Sequence, residues 1–145
     1  MTEPIFILLV EWDDTVRETL DTALAEAGFQ VIFAFDAPGA IAELNLNPAL
    51  YRAVITDVGN GPATWNIAQR ARELVEEMPI IYINGGGTHD WLIKGVPNSL
   101  LITKPFLPAQ IVAAVLTLMN TNTSKPAFNR IPSPPLSRNE KPNVD

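Results

Sequence analysis

The sequence of 145 residues contains no cysteine and a single histidine, His89. Without thiols, disulfide bonds, thiolate-bound zinc and cysteine nucleophiles are excluded. One histidine excludes a multi-histidine metal site, and we expect His89 to be solvated. Charged residues are also scarce, at 18% of the chain, whereas apolar residues make up 47%. This balance favours a folded core over global disorder.

Positive charge is scarce as well, because the net charge is −6 and lysine and arginine form no cluster. Such a chain is poorly suited to bind nucleic acid or anionic lipid. The first apolar run, Ile5–Val10, is too short for a signal-peptide core and follows Glu3. No stretch approaches the roughly 20 apolar residues that span a bilayer. We therefore expect a cytoplasmic protein that binds neither nucleic acid nor membrane.

Short apolar runs rich in branched residues alternate with segments of helical periodicity. The predicted strands are Ile5–Val10, Gln30–Phe35, Ala53–Thr56, Ile80–Ile83 and Leu100–Thr103. Helical spacing predicts helices over residues 14–27, 39–46, 67–78, 88–94 and 108–119, with Gly28 and Pro79 as stops and Pro108 as a first helical residue. Regular alternation of buried strands and helices predicts a doubly wound α/β fold with a five-stranded parallel sheet.

The composition changes near residue 121, after which proline, asparagine and serine predominate. Residues 121–145 contain five prolines and carry a net charge of +2, which leaves −8 for the rest. We expect a domain over residues 1–120 and a disordered, proline-rich tail over residues 121–145, because the tail has too few apolar residues to offset its ordering entropy. Ile131–Leu136 is a candidate docking motif, and a plain unstructured extension is the alternative.

Chemically active side chains follow three of the predicted strands. Glu11 follows the first, Asp57 the third and Lys104 the fifth. If the first strand is central, these strand ends converge on one pocket at the carboxyl edge of the sheet. Gathered carboxylates favour Mg²⁺, and a nearby lysine can hold a transferred phosphoryl group. An aspartate so placed is a candidate nucleophile for forming an acyl phosphate.

Over residues 4–119 the sequence resembles the response regulator receiver domains of two-component signalling. The resemblance is carried by Ile7–Glu11 with Val16 and Arg17, Val54–Asp57, Pro79–Ile81, Gly95–Ser99 and Lys104–Phe106. It implies a flavodoxin-like sheet of order 2-1-3-4-5. It also implies that Asp57 is the phosphoacceptor and that Lys104 contacts the phosphoryl oxygens. Glu11, Asp57 and the Gly59 carbonyl would then bind Mg²⁺, and the Lys104–Pro105 bond would be cis.

Three positions depart from the receiver pattern. Trp12 stands where receivers carry a second acid, and an indole N–H cannot bind a cation. Asp13 or Asp14 could replace that acid only if the loop bulged, against the register of Val16 and Arg17. Asn84 occupies the switch position where receivers carry a hydroxyl, and Leu101 stands where receivers often carry an aromatic residue.

Two loops also differ from the pattern. Val58–Pro62 replaces the usual loop after the phosphoacceptor, and its two glycines suggest a more pliable segment. The run Gly85–Gly87 is not a phosphate-binding P-loop, because no Gly-Lys-Ser/Thr follows it.

Three functions are consistent with these residues. The first is a single-domain response regulator-like protein, not an enzyme, that receives a phosphoryl group on Asp57 from a histidine kinase or phosphotransfer protein. Its output would pass to a downstream protein partner through the face formed by the last two helices and the last strand. A homodimer is a further possibility for its assembly. The second is a phosphorylation-independent pseudo-receiver. The third, a flavodoxin-like binder of a small ligand, is weakened by the acidic loop after the first strand.

Overall fold

The computed structural model describes residues 3–59, 61–86 and 89–124. Its centre is a parallel sheet in the order β2-β1-β3-β4-β5. The strands are β1 (Ile5–Val10), β2 (Phe29–Ala34), β3 (Tyr51–Asp57), β4 (Ile80–Asn84) and β5 (Leu100–Thr103). The order and the parallel direction confirm the predicted flavodoxin-like architecture, with β1 next to the centre of the sheet.

Helices connect consecutive strands. They are α1 (Asp14–Glu26), α2 (Ala37–Leu46), α3 (Trp65–Leu74), α4 (His89–Lys94) and α5 (Pro108–Ser124), with short 3₁₀ turns at Pro48–Leu50 and Pro62–Thr64. The Asp13 and Asp36 carboxylates cap α1 and α2 by accepting backbone N–H groups. Gly28, at φ +97°, follows the end of α1, and Pro108 opens α5, as predicted.

The end of α3 differs from the sequence prediction. The apolar spacing predicted a helix as far as Met78, but α3 ends at Leu74 and Val75 is extended. Met78 precedes Pro79, which disfavours helical backbone at the residue before it. Met78 instead enters the core after a turn in which its N–H donates to the Val75 carbonyl, and it is only 1% exposed.

Each face of the sheet buries its own apolar cluster, as expected of a sheet covered on both sides. One cluster packs α2 and α3 against strand residues Leu8, Val10, Val54, Ile80 and Tyr82. The other packs α1 and α5 against strand residues Ile7, Leu9, Ala53, Ile55, Ile81 and Ile83. The central strands are almost continuously apolar because successive side chains point to opposite faces of the sheet and enter opposite clusters.

The last helix runs to Ser124, past residue 120 where we placed the end of the domain. The remainder of the predicted tail, residues 125–145, lies outside the described residues, as do Asn60, Gly87 and Thr88. Within the described ranges, no helix is both long and apolar enough to cross a membrane.

Candidate functional site

The carboxyl edge of the sheet brings together Glu11, Asp57 and Lys104, as the sequence predicted. Val10 pairs with Thr56 in the β1–β3 register, which places the residues that follow side by side. The Lys104 Nζ lies 2.6 Å from Asp57 Oδ2 and 3.9 Å from Glu11 Oε2. The Lys104–Pro105 peptide bond is cis, as expected. One ammonium group therefore neutralises part of the charge of two buried carboxylates.

Asp57 is fixed by the backbone around it. Its Oδ1 accepts a hydrogen bond from the Gly59 N–H at 2.7 Å, and the side chain is only 2% exposed. A Cβ on residue 59 would lie 3.1 Å from that oxygen, so glycine allows the close approach. The Val58 N–H donates to the Ile83 carbonyl at 2.9 Å and holds the loop against β4. Asp57 is therefore a preorganised carboxylate at the edge of the pocket.

Glu11 is fully buried and incompletely paired. Its Oε2 accepts the Asp13 N–H at 3.1 Å, whereas Oε1 has no hydrogen-bond partner among the described residues. The pKa of Glu11 is raised to about 7, because burial and, to a smaller extent, the neighbouring Asp57 charge outweigh the lowering effects of the Asp13 N–H and Lys104. The carboxyl group thus takes up a proton much more readily than an exposed glutamate does.

Burial acts on the pKa of Lys104 in the opposite direction from its effect on Glu11, whereas neighbouring negative charge also raises this pKa, because it favours the charged form. Burial is the largest influence and lowers the pKa of Lys104, but the ion pair with Asp57 and the charges of Glu11 and Asp13 together outweigh it, so the pKa is raised. The side chain is 32% exposed, so the ammonium remains reachable from solvent. Lys104 is charged throughout the neutral range and can act as a phosphate ligand.

The residues present do not complete the magnesium site that the resemblance implies. Trp12 is partly buried and supplies no ligand. The Asp13 Oδ1 caps α1 by accepting the Val16 N–H at 3.1 Å, and Asp14 forms an ion pair with Arg17, so both exposed acids are engaged elsewhere. Across the described ranges no three acidic or histidine side chains form a metal-binding group. The buried Glu11 Oε1, which has no hydrogen-bond partner among the described residues, and the nearby Asp57 carboxylate are oxygens that suit a cation.

The two switch positions have a different chemistry from that of receivers in general. The Asn84 Oδ1 accepts the Gly86 N–H at 3.2 Å, so its side chain closes a local turn at the end of β4. Its backbone carbonyl accepts the Lys104 N–H at 2.9 Å. Leu101 is partly buried and lies opposite Tyr82 in the β4–β5 register. Asn84 therefore contacts the Lys104 backbone at the end of β4, whereas Leu101 packs against the apolar cluster on the α2 and α3 side of the sheet.

Arg17 organises the loop after β1 in a way that the sequence did not reveal. Its guanidinium donates to the Glu11 carbonyl at 3.0 Å and lies over the rings of Phe33 and Phe35, at 5.6 and 4.8 Å from their centroids. Sequence reasoning used Arg17 only to fix the register, because nothing local indicates that β2 and the residue after it supply the aromatic partners of Arg17. Arg17 holds the backbone that carries Glu11 and Trp12.

A largely apolar recess of about 450 Å³ opens beside the site. It lies between α1, the residue after Asn84 and the start of α5, and Lys104 forms part of its wall. The lining residues are Thr15, Val16, Thr19, Gly85, Lys104, Pro105, Phe106 and Pro108. The pocket around Asp57 therefore adjoins a surface that can accept apolar side chains of another molecule.

Comparison with known proteins gives a consistent result. No family model matches the chain. A response regulator receiver protein from Sinorhizobium medicae WSM419 is 35% identical, with a TM-score of 0.77, and the match covers 81% of this chain and 96% of that one. Among curated proteins, the Probable transcriptional regulatory protein SilR of Salmonella typhimurium is 33% identical over 119 residues. The Phosphate regulon transcriptional regulatory protein PhoB of Escherichia coli (strain K12) is 29% identical over 119 residues.

Both curated matches cover 78% of this chain, which spans about half the length of each relative. The receiver structure, in contrast, is matched almost from end to end. The receiver fold supports a role in phosphorelay signalling in general. With the fold, the sheet order and the match to a complete receiver in agreement, this chain belongs to the response regulator receiver family.

Proposed function

We propose that the domain accepts a phosphoryl group on Asp57 from a histidine kinase or phosphotransfer protein and passes the signal on by protein contact. The observation that carries this proposal is the geometry of Asp57 itself. It is buried at the strand end, held by the Gly59 N–H at 2.7 Å and paired with the Lys104 ammonium at 2.6 Å. A carboxylate fixed in this way is suited to in-line attack on phosphorus.

The chemical step follows from these contacts. An Asp57 carboxylate oxygen forms a bond to the donor's phosphorus while the phosphorus–nitrogen bond to the donor histidine breaks, and the electron pair returns to the imidazole. Since Oδ1 is held by the Gly59 N–H, Oδ2 is the oxygen that attacks. Lys104 then moves from Oδ2 to the phosphoryl oxygens, and the Asn84 amide supplies a further donor at the rim.

The donor protein has a suitable place to dock. The recess between α1 and the start of α5 adjoins Lys104 and is mostly apolar. A helix that places apolar side chains there would bring its histidine next to Lys104, the partly exposed side chain that pairs with Asp57. Docking therefore sets the orientation of the reacting groups, which supplies much of the rate in phosphoryl transfer.

Beryllofluoride tests whether Asp57 accepts a phosphoryl-like group. We expect a bound fluoride signal in ¹⁹F NMR of the wild-type protein with beryllofluoride and Mg²⁺, and no such signal with Asp57→Asn. Asp13→Asn is the matched control, because this nearby exposed side chain is engaged by the Val16 N–H at the start of α1 and its loss should leave the adduct in place. Absence of a bound signal from wild type at high Mg²⁺ would contradict the proposal.

A second candidate, a phosphorylation-independent pseudo-receiver, is favoured by the loop after β1. Trp12 supplies no metal ligand, and Asp13 and Asp14 are engaged at the start of α1. The Lys104 ammonium already lies between the two remaining carboxylates. On this account Asp57 and Lys104 form a permanent ion pair, and partner binding is the same for wild type and Asp57→Asn. A change in partner affinity upon beryllofluoride binding would exclude it.

A further inference from the structure

A connected row of buried and partly buried side chains runs from the loop after Asp57 to α4. We call it the aromatic row, and its members are Trp65, Tyr82, Ser99 and Trp91, joined through the backbone of Val96. None of these residues belongs to the pocket around Asp57. The row passes instead through the apolar cluster on the α2 and α3 side of the sheet.

The first part of the row joins the Asp57 loop to β4. The Thr64 hydroxyl donates to the Gly61 carbonyl at 2.7 Å, and Trp65 follows as the first residue of α3. The Trp65 ring is 4% exposed and lies 4.9 Å from the Tyr82 ring, at an interplanar angle of 43°. Because this region is close-packed, a shift of the loop displaces Trp65 directly against Tyr82.

The second part joins β4 to the segment before β5. The Tyr82 hydroxyl oxygen accepts the Val96 N–H at 3.0 Å. The Ser99 hydroxyl donates to the Val96 carbonyl at 2.7 Å and accepts the Trp91 indole N–H at 2.9 Å. Tyr82 and Ser99 are fully buried, so these bonds meet no competition from water. A displacement of the Tyr82 hydroxyl is therefore passed through the Val96 backbone to Ser99, which is the hydrogen-bond acceptor of Trp91.

The row ends at the surface of α4. Trp91 lies against Gly95, where an added Cβ would come within 2.6 Å of the Trp91 Cδ1 and 2.7 Å of its carbonyl oxygen. The next two residues, Leu92 and Ile93, are 39% and 67% exposed. Trp91 thus belongs to the same short helix as two exposed apolar side chains, and a displacement of Trp91 is expected to move this helix.

The β4–β5 register places an aromatic residue of β4 beside the altered position 101. Leu101 stands where an aromatic side chain was expected, and Tyr82 is its direct neighbour on the adjacent strand. We propose that the aromatic row couples the state of the Asp57 loop to the exposed face of α4, in place of a relay through residues 84 and 101. The coupling rests on the proposed function for its natural input, because phosphorylation at Asp57 is what would move the loop.

The coupling can be measured without phosphorylation. The full-length protein is labelled with 5-fluorotryptophan, and the ¹⁹F resonance of Trp91 is recorded in wild type, Asp57→Asn, Tyr82→Phe and the double variant. Asp57→Asn weakens the ion pair with Lys104 and so perturbs the loop. Tyr82→Phe keeps the ring that packs on Trp65 but removes the oxygen that holds the Val96 N–H.

We expect Asp57→Asn to shift the Trp91 resonance, and we expect most of this shift to disappear in the Tyr82→Phe background. Ser99→Ala removes the hydroxyl that joins Val96 to Trp91, and it should also abolish most of the Trp91 shift caused by Asp57→Asn. Tyr51→Phe is the matched control, because Tyr51 is also buried but its hydroxyl donates to Glu43 far from α4. A Trp91 shift of equal size in the Tyr82→Phe background, or no shift in the wild-type background, would overturn the proposal.

Beryllofluoride then separates the coupling from the proposed function. If the fluoride adduct forms and Trp91 does not respond, the coupling is wrong while Asp57 remains the acceptor. If no adduct forms but Asp57→Asn shifts Trp91 through Tyr82, the coupling holds and the phosphorylation proposal is wrong.

Discussion

The two buried carboxylates at the carboxyl edge of the sheet, Asp57 and Glu11, differ in how fully their oxygens are paired. Asp57 has both oxygens engaged, one by the Gly59 N–H and one by Lys104. Glu11 has one oxygen without a hydrogen-bond partner among the residues that the structure describes. Because a buried charge without full compensation is costly, protonation of Glu11 stabilises the folded state.

Glu11 should therefore make folding depend on pH. Burial raises its pKa from 4.5 to about 7 in the folded state, so the folded protein binds more protons than the unfolded chain between these values. The stability contributed by protonated Glu11 is present below about pH 4.5 and is lost as the pH rises through about 7. Glu11→Gln removes this dependence, and we expect its free energy of unfolding relative to wild type to increase by on the order of 2 kcal/mol between pH 5 and pH 8.

Urea denaturation at the two pH values, without Mg²⁺, measures this difference. Groups that do not interact with Glu11 are common to both proteins and cancel in the comparison. Parallel pH profiles for wild type and Glu11→Gln would show that Glu11 does not titrate as described.

Trp12 limits metal binding at the same edge. Trp12→Asp restores a carboxylate beside Glu11 and Asp57, and we expect the affinity for Mg²⁺ to rise by about tenfold or more, because oxygen ligands replace an indole. Trp12→Phe removes the indole without adding a ligand and serves as the control. The thermal shift on adding Mg²⁺ reports binding. Equal shifts for wild type and Trp12→Asp would mean that residue 12 does not face the metal position.

At the scale of the elements, the segment between α4 and β5 is unusually well anchored. The Arg72 guanidinium of α3 donates to the carbonyls of Met78 at 2.7 Å, Pro97 at 2.7 Å and Asn98 at 3.3 Å. Tyr82 and Trp91 hold the same segment from the other side. Three elements thus converge on one loop, and this is the structural basis for transmitting a change from the Asp57 loop to α4.

Removing the Arg72 anchor should be costly. We expect Arg72→Ala to lower the free energy of unfolding by about 2–3 kcal/mol, since partly buried carbonyls lose a charged donor. Arg70→Ala is the control on the same helix, because its ion pair with Glu73 and its hydrogen bond to Asn45 are both exposed, and its cost should stay within about 0.5 kcal/mol. Chemical denaturation of both variants makes the comparison. Similar losses for the two would contradict the anchoring role.

At the scale of the whole molecule, much of the fold could be predicted from local sequence. The continuous apolar runs of β1, β3 and β4 reflect burial on both faces, and Gly28 and Pro108 mark helix ends by their backbone preferences alone. The meeting of Glu11, Asp57 and Lys104 followed from the sheet order. These features depend on periodicity and topology, which a single sequence records.

Other features could not be predicted because they depend on contacts between distant segments. The contact of Trp65 with Tyr82 requires knowing how α3 lies on β4, and the Arg72 bonds reach residues 25 and 26 positions away. The early end of α3 arises from Pro79 acting on Met78 together with the demand of the core for the Met78 side chain. The helical spacing of apolar residues continues past Leu74 to Met78, so the sequence prediction placed the end of the helix too late.

The central claim is that Asp57 accepts a phosphoryl group, and phosphoramidate tests it most directly because its phosphorus–nitrogen bond resembles that of a phosphohistidine donor. After incubation with phosphoramidate and Mg²⁺, intact-mass spectrometry should show the mass of one added phosphoryl group on wild type and none on Asp57→Asn. Wild-type protein that stays unmodified, or Asp57→Asn that gains the same mass, would contradict the account.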